Sequence, residues 1–167
     1  MTVASVDLCK AVNTAWDAST LNDTFKALWD DPLESEFYVL NDQEAPAEQP
    51  WPYVVMDEPI VQIVERHSGG EAQIKRRIED VIIKFNVHAE YDSGDTKSCK
   101  QVASELAAEI MKVFGGHPST TPTGTITLDN GNHLITQIQS DTGIKTGDDE
   151  YQWILEYLFR LDIPEAV

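Results

Sequence analysis

The sequence predicts an α+β fold: an antiparallel or mixed β-sheet, two main helices packed on one side, and a long protruding β-hairpin. Residues 4–18 and 96–114 repeat apolar side chains at three- and four-residue spacing, as amphipathic helices do. Residues 76–91 and 151–163 alternate apolar and polar side chains with period two, as strands with one buried face do. The order of these segments, helix then strands, helix then strands, segregates helices to one side of a sheet and argues against a doubly wound fold.

In the first segment Val6, Cys9, Val12 and Trp16 form the expected apolar stripe. Residues 20–29 read as a short second helix with Leu21, Phe25, Leu28 and Trp29 facing inward, ended by Asp30, Asp31 and Pro32. Residues 37–40 are a short strand candidate. Residues 41–52, with three prolines and almost no apolar content, read as an exposed loop. Residues 53–56 and 60–66 read as strands interrupted at Pro59, which cannot donate to a ladder. The second of them pairs with 76–91 to make the hairpin, whose charged tip is 67–75.

Asp92, Ser93 and Asp95 offer N-caps for the second main helix. Its stripe is Cys99, Val102, Ala103, Leu106, Ile110, Val113 and Phe114, and Gly115-Gly116 stop it. Residues 124–128 and 133–139 flank Asn130-Gly131, a short-range hairpin signal. Residues 141–150 read as a polar loop. The closing strand, 151–163, puts Tyr151, Trp153, Leu155, Tyr157, Phe159 and Leu161 on one face.

At 167 residues, with 41% hydrophobic and 25% charged, the chain reads as a single domain, 1–167, able to bury a core without metal or disulfide staples. No apolar run is long enough to span a bilayer. Met1 to Val12 contains Asp7 and Lys10 and no continuous hydrophobic stretch, so no signal peptide is expected and folding is placed in a cytoplasm. The formal charge of −17, from 29 acidic and 12 basic residues, repels nucleic acids and anionic membranes. Cys9 and Cys99 fall on helical apolar positions, where thiols behave as small hydrophobes.

No catalytic or cofactor-binding constellation emerges, so no enzyme activity, cofactor or metal is expected. His67, His88, His117 and His133 are scattered without ligand spacing. Asp141-Thr142-Gly143 matches the core of an aspartic-protease motif but lacks apolar runs to pin it. Gly143-Ile144-Lys145-Thr146 lacks the upstream glycine of a phosphate loop. The candidate interface residues are Arg66, Lys75, Arg76 and Arg77, a third of the basic residues gathered at one hairpin end of an acidic chain. They read either as a solvated turn or as a tip reaching an acidic face of a neighbour, as in a head-to-tail ring. Trp51, held between Pro50 and Pro52, is a plug for a core edge or for a neighbour's groove.

An N-terminal helix, a strand near Phe37 and a proline-rich loop leading into Trp51-Pro52-Tyr53-Val54-Val55 come first. A long strand ending in Phe85-Asn86-Val87-His88-Ala89-Glu90-Tyr91, Asp92-Ser93 opening a helix, and a last strand Tyr151-Gln152-Trp153-Ile154-Leu155-Glu156-Tyr157 complete the order. This succession resembles the tail-terminator (tail-completion) proteins of long-tailed bacteriophages over most of the chain. The resemblance implies a structural virion protein of the neck, assembled in the host cytoplasm, that forms a homo-oligomeric, hexameric ring capping the tail tube. Its implied partners are itself, tail-tube protein and a head-completion or connector protein, with DNA passing through the lumen without specific binding. Six copies would carry a formal charge of about −100, which would let DNA slide without sticking. Another neck or tail-tube-associated structural protein, or an unrelated small α+β binding module, is the alternative.

Overall fold

The structure, a computed structural model, describes residues 3–68, 75–92 and 94–164. Its elements in chain order are α1 (Val3–Asp17), α2 (Leu21–Lys26), β1 (Leu40–Asp42), β2 (Tyr53–Met56), β3 (Ile60–Ser68), β4 (Lys75–Glu90), α3 (Cys99–Phe114), β5 (Asn132–Lys145) and β6 (Glu150–Pro164). The fold is α+β: one mostly antiparallel six-stranded sheet, ordered β1-β2-β4-β6-β5, with the helices on one face and β3 also paired to β4.

The alternation in β4 and β6 decides which face is covered. Val81, Ile83, Phe85 and Val87 of β4 and Leu155, Tyr157, Phe159 and Leu161 of β6 are fully buried. Cross-strand partners such as Phe85 and Leu155 share this face, so every second residue of both strands contributes to the core. Leu8, Val12 and Trp16 of α1 and Leu106, Ile110 and Phe114 of α3 close over it. Trp16 lies at the centre, its ring 6.0 Å from Phe25, 6.0 Å from Phe85 and 6.5 Å from Phe114. Burial pushes the Tyr157 phenol pKa up, and its hydroxyl donates to Gly115 O at 3.2 Å.

β2 and β3 lie end to end along the same edge of β4, opposite 85–88 and 75–82. Pro59 sits at the junction, and Asp57 N–H keeps the ladder going by donating to Lys84 O at 3.0 Å. β3 and β4 pair from Ile60–Ile82 to Ser68–Lys75; most of the expected tip lies outside the described residues.

Several boundaries differ from those the sequence predicts. The α1 stripe is Ala4, Leu8, Ala11, Val12, Ala15 and Trp16, spaced by three and four residues, and Val6 falls outside it and is exposed. In the second helix Leu28 is exposed, since α2 ends at Lys26 and the chain turns to bring Trp29 inward, its Nε1–H donating to Pro52 O at 2.9 Å. The strand expected over 37–40 is Leu40–Asp42, running parallel to β2. The stretch 41–52 is therefore not all exposed loop: Asn41, Gln49 and Pro52 are buried, and Asn41 Nδ2 donates to Tyr38 O at 3.0 Å. Ser98, rather than Asp92 or Asp95, caps α3, its hydroxyl accepting from Gln101 N–H at 3.2 Å.

The largest correction concerns Asn130-Gly131. It is not a hairpin turn, and 124–128 is not a strand. Thr123 and Gly124 N–H instead donate to Lys112 O and Val113 O, so this segment finishes α3. Gly131, at φ +129, opens β5, where an added Cβ would stand 2.7 Å from Asp162 O. The hairpin is β5–β6, and 141–145, expected as loop, belongs to its first strand.

Candidate functional site

The basic end of the β3–β4 pair is the first place to look. Arg66 and Arg77 are backbone partners there, as are Ser68 and Lys75. Successive residues of a strand point to opposite faces, so Arg76 and Arg77 have different surroundings. Arg76 Nε lies 2.8 Å from Asp162 Oδ1 on the open face, a contact that raises its pKa. Arg77 points to the helix side and pairs through Nε with Glu79, which is fully buried. Glu79 Oε2 is, among the described residues, the buried side-chain oxygen without a hydrogen-bond partner.

Trp51 is half-buried at the opposite end of β4. Its ring meets Tyr53 at 5.0 Å and His88 at 6.2 Å, both edge-on, while Tyr53 stacks on His88 at 4.9 Å. Trp51 also lines a groove of about 640 Å³ whose rim carries Asp30, Asp31, Glu48 and Asp95. The basic and acidic ends thus sit at opposite termini of the 16-residue β4.

Burial lowers the pKa of His88, opposed by the charges of Glu150 and Asp57. Burial also lowers that of His133. A depressed folded value means that below the ordinary 6.5 the unfolded chain binds more protons. This contribution to stability is therefore full above 6.5 and is lost as the pH falls through that value towards the folded pKa. The urea midpoint should fall between about pH 7 and about pH 5.5, and fall less steeply in His88→Gln. An unchanged slope in that variant would show that His88 does not report burial.

The sheet face away from the helices is a feature that strand periodicity alone does not assemble. It carries a ladder of ion pairs between β4 and β6. Arg160 grips Asp80 with two bonds, Nε to Oδ1 at 2.7 Å and Nη2 to Oδ2 at 2.8 Å. Lys84 reaches Glu156 at 3.3 Å, and Gln152 Nε2 donates to Asn86 Oδ1 at 3.0 Å. Between these pairs lie half-buried apolar side chains, and exposed ones flank them on β3 and β5. The signal for this arrangement is in the alternate residues of β4 and β6, but their pairing depends on the register between strands far apart in sequence.

The weaker motifs resolve individually. Asp141 lies on strand β5 and accepts from Trp153 Nε1, and Gly143 leaves room for Tyr151 and Trp153, each 2.7 Å from where a Cβ would stand. Cys9 and Cys99 are free and half-buried; burial and then the charge of Asp42 push the Cys9 thiol up to about 11. Among the described residues no three His, Cys, Asp or Glu side chains converge as metal ligands would, and no helix is long and apolar enough to cross a membrane.

No protein-family model and no curated protein matches the sequence. Among solved structures, the chain is similar to one from the virion of a native gene transfer agent (GTA) particle. That likeness covers 98% of this chain and 100% of the other, with a TM-score of 0.57 and 14% sequence identity. A second solved chain, 18% identical over 91% of this one and 94% of its own length, has a TM-score of 0.38, too low to carry an argument. At these identities the likeness is one of fold.

Proposed function

We propose that this chain is a structural protein of a phage-like particle. In this reading it forms a homo-oligomeric ring at the neck, caps the tail tube, ends its polymerisation and presents the surface that joins tail to head. The observation that carries the reading is the end-to-end fold likeness to a chain of a gene transfer agent virion. The order of segments in the sequence also resembles that of the tail-terminator family. Chemistry supports it as well. A chain of formal charge −17 disfavours any partner that is a polyanion, yet suits a channel through which DNA must move without being held.

The test is assembly with the tube. Purified chain should form closed rings visible by negative-stain electron microscopy, alone or on tail-tube protein. Added during tube polymerisation, it should cap growing ends and shorten the tubes in proportion to its concentration. Tubes of unchanged length, with no chain at their ends, would overturn the reading.

A further inference from the structure

We propose that the open face of the sheet, across β3, β4, β6 and β5, is the surface on which a second copy of this chain docks. The inference rests on the ring reading in one respect only, that copies of the chain meet. Cross-strand register defines the face. Ile60 opposes Ile82, Ile135 opposes Arg160, and Ile144 opposes Gln152, so these side chains share the side occupied by Asp80, Lys84 and Asn86. Ile60 is 57% exposed and Ile135 48%. Ile82, Ile154 and Leu158 lie half-buried between them. All three helices pack on the other side, so among the described residues no helix covers this apolar surface.

Charge identifies the occupant. On β4 from Arg76 to Asn86, and on the β6 residues facing it, the cations are Arg76, Lys84 and Arg160 and the carboxylates are Asp80, Glu156 and Asp162. The facing open-side residues of β5 are uncharged. This stretch of the face is therefore balanced in a chain of formal charge −17, while Asp57 and Glu58 beside Ile60, and Glu90 opposite Glu150, lie at its margins. A basic partner would be drawn to the acidic faces and would gain nothing from a neutralised one. An acidic partner is repelled by the acidic surfaces but not by this balanced stretch, which runs up to the basic end at Arg76, and a second copy is by composition such a partner. Because the ion pairs are already formed within the chain, covering them leaves no charge without a partner. The extent fits too. Four strands about 4.8 Å apart, most of them about 14 residues long at about 3.3 Å each, present roughly 800 Å², one partner's share of a standard interface.

The experiment compares wild type, Ile60→Glu/Ile135→Glu and a control, Leu33→Glu, at a residue 87% exposed and off the sheet. Sedimentation velocity and native mass spectrometry are run from micromolar to near-millimolar concentration, with thermal melts showing that each variant stays folded. Wild type and control should assemble alike, while the face variant assembles at least about tenfold more weakly, because two apolar contacts become buried charges. Equal assembly of the face variant would overturn the inference and leave the ring reading standing. Assembly into a closed dimer that the face variant abolishes would support the inference and count against the ring. A wild type that stays monomeric throughout overturns the inference, whatever the tube-capping experiment gives.

Discussion

Arg77→Ala lowers the free energy of unfolding by about 3–5 kcal/mol, the range for removing one member of a buried ion pair. Glu79 is wholly buried on the helix side of the sheet, between Ile63 of β3 and Leu161 of β6, and Arg77 is its charged partner. Truncating Arg77 strands that carboxylate among apolar neighbours, where one of its oxygens already has no hydrogen-bond partner. The double replacement Arg77→Met/Glu79→Leu should recover most of the loss, since an apolar pair of similar volume carries no desolvation penalty. Urea unfolding of the two variants measures both, with constant slope showing that the comparison is one of stability. A loss below about 1 kcal/mol for Arg77→Ala would mean that Glu79 finds another partner or water. Charge reversal at Arg77 therefore tests folding before it tests assembly. Arg76, on the other face and over a third exposed, is the residue where reversal tests the surface.

That distinction was only half legible in the sequence. The period-two alternation of β4 and β6 showed which residues are buried, because a strand between a helical layer and an open side must alternate. It could not show that Arg76 meets Asp162 while Arg77 meets Glu79, because the first contact depends on the register between strands 86 residues apart. α3 was legible for the same reason as β4, one apolar stripe closed by two glycines, although its cap is Ser98 and not Asp92 or Asp95. Asn130-Gly131 misled because the segment before it satisfies the carbonyls at the end of α3, a demand made by tertiary structure and invisible to a local pattern. The stretch 141–145 looked like loop because β5 is an edge strand, largely exposed on both sides, and so free to be polar. β1 was read as 37–40, which meets the observed strand only at Leu40. Three residues running parallel to β2, with Asn41 and Gln49 buried between them by side-chain hydrogen bonds, carry no periodicity.

The charge, the strongest global feature of the sequence, also gains a location. A sum of −17 describes the whole chain, but it does not describe the open sheet face from Arg76 to Asn86 and its β6 partners, where three carboxylates meet three cations. The excess therefore lies on the helices, the loops and the groove beside Trp51. In the ring reading the balanced face would meet a different patch of the next subunit, since head-to-tail contacts pair unlike surfaces, and the acidic surfaces would be left to lumen and solvent. Such a division would let a strongly like-charged protein assemble at physiological salt, where surface repulsion is screened beyond about 8 Å but not at contact.

Trp16→Ala is expected to cost as much as the loss of Arg77, about 3–5 kcal/mol, for a different reason. Trp16 is 1% exposed and is the residue through which α1, α2, β4 and α3 touch, by way of Phe25, Phe85 and Phe114. Its Nε1–H donates to Asn22 Oδ1 at 2.8 Å, which ties the start of α2 to α1. Alanine there removes the transfer free energy of the indole and leaves a cavity between layers that the sheet cannot close, because β4 is held on both edges. Trp16→Phe should lose less than half as much, keeping the ring stack and forfeiting the Asn22 hydrogen bond. Thermal and urea unfolding of the two variants provide the measurement. A drop below about 1.5 kcal/mol in the alanine variant would show that α1 collapses onto Phe85 and fills the space. The same variant separates stability from assembly. Trp16 is buried on the helix side and touches neither the open face nor the basic end, so Trp16→Ala should still assemble wherever it remains folded. Loss of assembly in a folded Trp16→Ala chain would mean that the helical layer, not the sheet, holds the copies together.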